Sequence, residues 1–247
     1  MTTQPVRDRS LPLRERKKLR TRRVLAGAAL RLFSEKGFDA TTLEELADEA
    51  EVSKSTFFRF FPAKEAAAIE AEAELWTAYL AALADRDLSG PVLNELHQTL
   101  AAAAAGLDPG WDERFLATRR LIAAESALLR YVEHYRAGIK GQVVTTLADK
   151  LQLDPEDLRL HVLAELATTA FSLSGRHWVR HGGQGGRKAL LQGFDRAVEA
   201  IPASLDLAAP AKPAQDGGTR PGPGPQRRGA KPQRSASGQA APAAGGP

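Results

Sequence analysis

The chain contains no cysteine, which removes disulfides, thiol nucleophiles, thiolate zinc sites and thiol redox sensing together. It also lacks long apolar runs: no stretch approaches the ~18 consecutive apolar residues a membrane span needs. The N-terminal MTTQPVRDRSLPLRERKK has no apolar core of the secretory type, so a cytoplasmic location is expected. Sheet signals are nearly missing, because β-branched runs are short and no Asn-Gly or Asp-Gly turn joins alternating segments. Gly-x-Ser-x-Gly, the metalloprotease histidine pair and the dinucleotide fingerprint do not occur, so neither an enzyme nor a cofactor is expected.

What is present is charge, and it is unevenly placed. The 247 residues hold 34 Lys+Arg against 30 Asp+Glu, a net of +4 that identifies no partner by itself. Residues 1–64 carry +5, residues 65–204 carry −5, and residues 205–247 carry +4. The densest run, RERKKLRTRR from Arg14 to Arg23, has seven bases and one acid. A basic N-terminal module, a mildly acidic body and a basic tail follow from this blocking. The tail has eight Pro, eight Gly and no aromatic residue. It cannot bury enough apolar area to offset its ordering entropy, so 205–247 is expected to be disordered. Residues 1–12 read as a flexible arm.

Between arm and tail the periodicity is helical throughout, and the fold class expected is all-α. Val24, Ala28 and Leu32 form one row of a first helix, with Leu25, Ala29 and Phe33 beside it and Gly37 as its stop. Thr41 or Thr42 can cap a short second helix, and Thr42 followed by Glu45 has capping-box spacing. After a tight turn at Glu51-Val52, Ser53 can cap a third helix running through Phe60. Pro62 suits the first turn of a fourth, predicted over 62–84. Further helices are expected near 91–105, 112–124, 127–151, 155–181 and 187–201, about nine in all.

A short helix, a tight turn and a second short helix behind a basic helix make a helix-turn-helix, here Thr42 to Phe61. Lys54, Ser55, Thr56 and Arg59 are donors long enough to reach base edges and phosphates. Phe57, Phe60 and Phe61 divide between packing and contact with thymine methyls. Lys64, at the start of the fourth helix, can share a phosphate with the helix N-terminus.

These residues resemble a known family. The Ala29–Phe38 pattern A-x-x-L-F-x-x-x-G-F, Thr41-Thr42, Leu46-Ala47, Val52-Ser53-x-x-Thr56 and Phe61-Pro62-x-Lys64-Glu65 are similar to the DNA-binding domain of TetR-family transcriptional regulators. The resemblance spans residues 22–65 and implies an N-terminal helix-turn-helix domain, 13–61, ahead of a helical ligand-binding and dimerisation domain, 62–204. It further implies that Thr41, Thr42, Lys54, Thr56, Phe58 and Lys64 meet double-stranded DNA, with Ser55, Phe57 and Arg59 at or near base edges. Two positions depart from the family pattern: Phe58 stands where Tyr is usual, and Glu51 where Gly is usual. A left-handed backbone at Glu51 would cost about 1 kcal/mol.

The body resembles the branch of that family that takes acyl-CoA-like ligands, through Arg119-Arg120-Leu121-Ile122, Ala127 to Arg130 and Leu147 to Leu160. That resemblance implies a small-molecule effector among Trp111, Phe115, Arg119, Arg120, Tyr131, Tyr135 and Trp178, with the apolar side chains meeting a greasy tail and the arginines its head. It also implies a homodimer through the last two helices, a palindromic operator and a repressor. A constitutive DNA binder without effector is the competing reading. His177 and His181, four residues apart, could share a metal, but no carboxylate accompanies them and no metal is expected.

Overall fold

The computed structural model describes residues 12–209, so the expected arm lies almost wholly, and the expected tail largely, outside the described residues. Ten helices and no strand occur among the described residues. The first, α1 (Leu13–Lys36), stops where Gly37 takes φ 89° and donates its N–H to the Phe33 carbonyl at 3.0 Å. Its buried arc holds Leu25, Ala28, Ala29, Leu32 and Phe33, as the spacing requires. Val24 departs from expectation. It lies one step beyond that arc and is 52% exposed.

Next come α2 (Leu43–Glu49) and α3 (Lys54–Phe60). The capping box forms as read: Thr42 Oγ1 accepts from Glu45 N–H at 3.2 Å and Glu45 Oε2 from Thr42 N–H at 2.9 Å. Lys36, with the Thr42 amide, holds the Glu45 carboxyl down to about 2, so the box stays charged at neutral pH. Ser53 Oγ caps α3 by accepting from Thr56 N–H at 3.2 Å. Between the two helices Glu51 takes φ 53°, the left-handed region anticipated for the turn.

The predicted fourth helix is in fact two, α4 (Lys64–Ala68) and α5 (Glu70–Asp85), parted at Ile69 with φ −102° and ψ 13°. The Thr118 hydroxyl donates to the Ala68 carbonyl at 3.0 Å, supplying a tertiary partner at the point where the helical ladder is interrupted. Pro62 lies outside the helix, whose N-cap is Ala63. The body continues with α6 (Val92–Ala105), α7 (Trp111–Ala124), α8 (Ser126–Leu151), α9 (Leu158–Arg180) and α10 (Gly186–Leu205). The last of these runs through Pro202 and ends beyond the expected boundary. No helix among the described residues is long and apolar enough to cross a membrane.

Two cores result. One lies among α5 to α10 around Trp76, Tyr79, Trp111, Phe115, Phe171 and Phe194. The other gathers Leu25, Phe33, Phe38, Leu46, Phe57 and Phe61 from the N-terminal helices and is completed by Ile122 of α7 with Leu128 and Val132 of α8. The N-terminal module therefore closes its core with side chains of the body.

Replacing Glu51 by Gly relieves the left-handed strain but frees the unfolded chain. Glu51→Gly is expected to add up to about 0.5 kcal/mol of stability by that balance, read as a slightly higher urea midpoint at unchanged slope.

Candidate nucleic-acid interface

α3 is seven residues long and has two unlike faces. Phe57 is 1% exposed and Phe60 9%, and both pack inward beside Phe61. Phe57 was expected near base edges, but the helix turns it into the core, where its ring lies 5.7 Å from that of Phe61. The outer face carries Lys54, Ser55, Phe58 and Arg59, with Thr56 half-buried. Phe58 is 48% exposed, with its ring edge-on to that of Phe57 at 6.0 Å. Lys54 is paired with Glu44 of α2, and the Ser55 hydroxyl lies 2.9 Å from that of Ser53.

Thr41 also departs from expectation. It is 1% exposed, and its hydroxyl donates to the Gly37 carbonyl at 2.7 Å, so it fixes the α1–α2 loop rather than facing outward. Thr42 is exposed and caps α2. Lys64 is half-buried; its ammonium donates to the carbonyls of Phe38 at 2.8 Å and Thr41 at 3.2 Å and stands 4.4 Å from the centre of the Phe38 ring. An ammonium has three protons, so one remains for a phosphate.

The basic run of α1 does not simply project into solvent. Arg14, Lys17, Lys18 and Thr21 line a groove of about 470 Å³ whose other wall is Arg59 and Phe60 of α3. Four cations face one carboxylate there, Glu15. A groove of this sign beside a polar helix face suits a phosphate backbone, which positions a protein while the helix reads bases.

What orients α3 is Arg22. Its Nη1 donates to the Phe60 carbonyl at 2.9 Å, its Nη2 donates to Glu70 Oε2 at 2.7 Å, and its Nε bonds the other oxygen of the same carboxylate. The guanidinium also lies 4.6 Å from the centre of the Phe61 ring. Burial lifts the Glu70 carboxyl above its usual range in spite of this arginine. Sequence reading missed both residues. Arg22 looked like one more base in a run, and Glu70 like one more acid on an Ala- and Glu-rich helix.

In the body, Trp111, Phe115 and Trp178 are buried against one another, with Trp111 and Phe115 stacked at 4.4 Å. Trp111 Nε1–H donates to the Ala71 carbonyl at 2.8 Å. Tyr131 and Tyr135 flank the N-terminal core, and Arg120 faces outward. Of the seven residues expected at a ligand, Arg119 alone reaches the cleft that α7, α8 and α9 enclose. Aromatic residues at helical spacing were core, as burial of such area favours. Among the described residues no group of three or more His, Asp or Glu could hold a metal; the His177 and His181 rings lie 4.3 Å apart without a third ligand.

A capped helix, a strained turn and a second capped helix with a polar outer face, flanked by a basic groove, make a helix-turn-helix, the arrangement that enters the DNA major groove in proteins built on it. Residues 25–71 match the family described as bacterial regulatory proteins, tetR family. The chain is 28% identical over 172 residues to the HTH-type transcriptional regulator TcmR of Streptomyces glaucescens, covering 67% of this chain and 76% of that protein. Over 44 residues it is 41% identical to the uncharacterized HTH-type regulator YuxN of Bacillus subtilis, 18% of this chain and 15% of that one. Among solved structures, FadR of Thermus thermophilus in complex with lauroyl-CoA is similar with a TM-score of 0.43 and 24% identity, covering 77% of this chain and 98% of that chain. A TetR-like regulator from Rhodococcus gives 0.44 and 19%, over 74% of this chain and 96% of that one. Over residues 25–71, which hold both short helices and the turn between them, the chain is similar to the DNA-binding region of tetR-family regulators.

Two outcomes test this interface. Arg22→Ala leaves Glu70 buried without its partner and is expected to cost about 2–3 kcal/mol in urea denaturation, with part of the loss recovered when Glu70→Gln is added. Phe58→Tyr restores a hydroxyl at an exposed position of α3. It is expected to tighten DNA binding about threefold to tenfold, through a new phosphate contact read by fluorescence anisotropy.

Proposed function

We propose that the protein is a homodimeric repressor that works in the cytoplasm, holds a palindromic operator and releases it when a small amphipathic molecule occupies its C-terminal helices. It acts by binding, not by catalysis. On this reading Lys54, Ser55, Phe58 and Arg59 face the major groove. Thr42, Lys64 and the groove between α1 and α3 take phosphates, and Thr56 supports the edge of the same surface.

The observation that carries the dimer is an unfilled face of α9. Leu158 is 77% exposed, Val162 54% and Leu173 49%, and their spacing places all three on one side of the helix. Side chains of this kind left in water favour a self-complementary contact, and a second copy covers them with the same stripe. α10 packs beside α9 and joins this contact. A two-fold dimer then presents two α3 helices about 34–36 Å apart, one helical turn of DNA. An operator with inverted half-sites is the counterpart of that symmetry.

An effector shifts the operator equilibrium only through a difference in its affinity for the two dimer geometries. α5 is the natural transmitter, because its carboxylates reach both α1 and the helices of the body. The effector is amphipathic and anionic, an acyl-CoA-like ester being one form of such a molecule.

Selection of bound fragments from a random duplex pool tests this directly. An inverted repeat is expected; recovery of single half-sites, or no enrichment, would contradict the dimeric reader. Leu173→Glu is expected to give monomers in sedimentation and to weaken operator binding about a hundredfold or more as the paired contacts are lost.

A further inference from the structure

A cleft of about 480 Å³ lies between α7, α8 and α9, and its charge is one-sided. Arg119, Arg136, Arg176 and Arg180 line it against one carboxylate, Glu133. Between the arginines the walls are aliphatic, from Ile122, Ala123, Leu129 and Val179. Arg176 and Arg180, one turn apart on α9, form no ion pair among the described residues and are exposed in the single chain; they lie five turns on from Leu158 and Val162, along the same side of α9 as the proposed subunit contact. Arg119 is only 8% exposed.

Behind the cleft Arg119 and Arg136 share one acid. Glu72 of α5 is 1% exposed and accepts from Arg119 Nη1 at 2.7 Å and from Arg136 Nη2 at 2.5 Å and Nε at 3.2 Å. Arg136 also meets the exposed Glu133 at 3.4 Å, so the inner pair of guanidiniums is balanced by two carboxylates and the unmatched cations of the cleft are Arg176 and Arg180 at its mouth. Guanidinium forks favour bidentate carboxylate or phosphate, and the aliphatic wall favours an apolar body beside such a head. The volume is in the range of small-molecule sites.

From this arrangement we infer that the cleft binds a compact amphipathic carboxylate or phosphate ester, whose head group competes with Glu72 for Arg119 and Arg136. The inference rests on the effector reading given above and deepens it. Glu72 stands two residues from Glu70, which holds Arg22 and through it the Phe60 carbonyl at the end of α3. A head group that draws Arg119 and Arg136 outward loosens α5 two residues from the acid that anchors Arg22, and so the end of α3.

The test uses the full chain, with 2-naphthoate and octanoate as acids and 2-naphthylmethanol and octanol as neutral partners. Calorimetry reads binding, and operator release is read separately by anisotropy. One acid per chain is expected to bind at millimolar affinity or tighter, at least tenfold better than its alcohol. Arg176→Ala with Arg180→Ala is expected to cost tenfold or more in that affinity with an unchanged melting midpoint. Glu72→Gln is expected to tighten acid binding at least threefold; should it fail to fold, the arginine variant still decides. Failure of both acids to bind, equal binding of acid and alcohol, or an unaffected arginine variant overturns the inference. So does an arginine variant that becomes monomeric, which assigns these two residues to the subunit contact. Acid binding in the cleft without operator release keeps the site and removes the effector reading. Operator release by the alcohols alone does the reverse.

Discussion

One guanidinium joins the three parts of this protein that must stay in register. Arg22 belongs to the helix that carries the basic run. It bonds the last carbonyl of the reading helix, and it is anchored on a carboxylate of the first helix of the body. Remove it and each partner loses something different: Phe60 a donor, Glu70 a counter-charge, Phe61 a cation over its ring. A buried ion pair of this kind contributes less to net stability than to geometry, because desolvation offsets much of the attraction. Its effect is to allow few arrangements of α3 relative to α5.

The same logic repeats along α5. Glu70, Glu72 and Glu74 alternate along one helix, yet each serves a different set of arginines: Arg22 for the first, Arg119 and Arg136 for the second, Arg23 and Arg114 for the third. Successive acids two residues apart point about 200° from one another around a helix. A helix bearing them in an apolar interior must meet cations on more than one side. α5 accordingly sits among α1, α7 and α8 rather than on the surface. Arg187 plays a comparable part at the far end, where it bonds Asp112 and the carbonyls of Ala104, Leu107 and Asp108 and so ties the start of α10 to the α6–α7 loop.

Much of this was legible from residue order, and the limits have a physical pattern. The Thr42–Glu45 box, the Ser53 cap and the Gly37 stop depend on residues close in sequence, and all are found, while the left-handed turn at Glu51 was implied by the family resemblance. What the sequence concealed depends on distant partners. The interruption at Ile69 coincides with a hydrogen bond from the Thr118 hydroxyl to the Ala68 carbonyl, 50 residues apart. Thr41 and Phe57 look as polar or as available as their neighbours until the fold turns them inward. The ligand expectation favoured aromatics, which the fold packs into the cores, over arginines, whose destinations no spacing rule supplies. Arg136, Arg176 and Arg180 line the cleft without any local signal beyond their charge.

The interruption at Ile69 also has a bearing on how such a chain diversifies. Everything before it packs as a unit closed by only three body side chains buried in its core, Ile122, Leu128 and Val132. A single non-helical residue then separates that unit from the rest. A lineage could therefore exchange the C-terminal half while keeping the N-terminal half intact, provided the replacement offers three aliphatic side chains and acids opposite Arg22 and Arg23. The joint is a place where inheritance can be cut and rejoined, and its small set of requirements makes new pairings of operator and signal accessible by few changes.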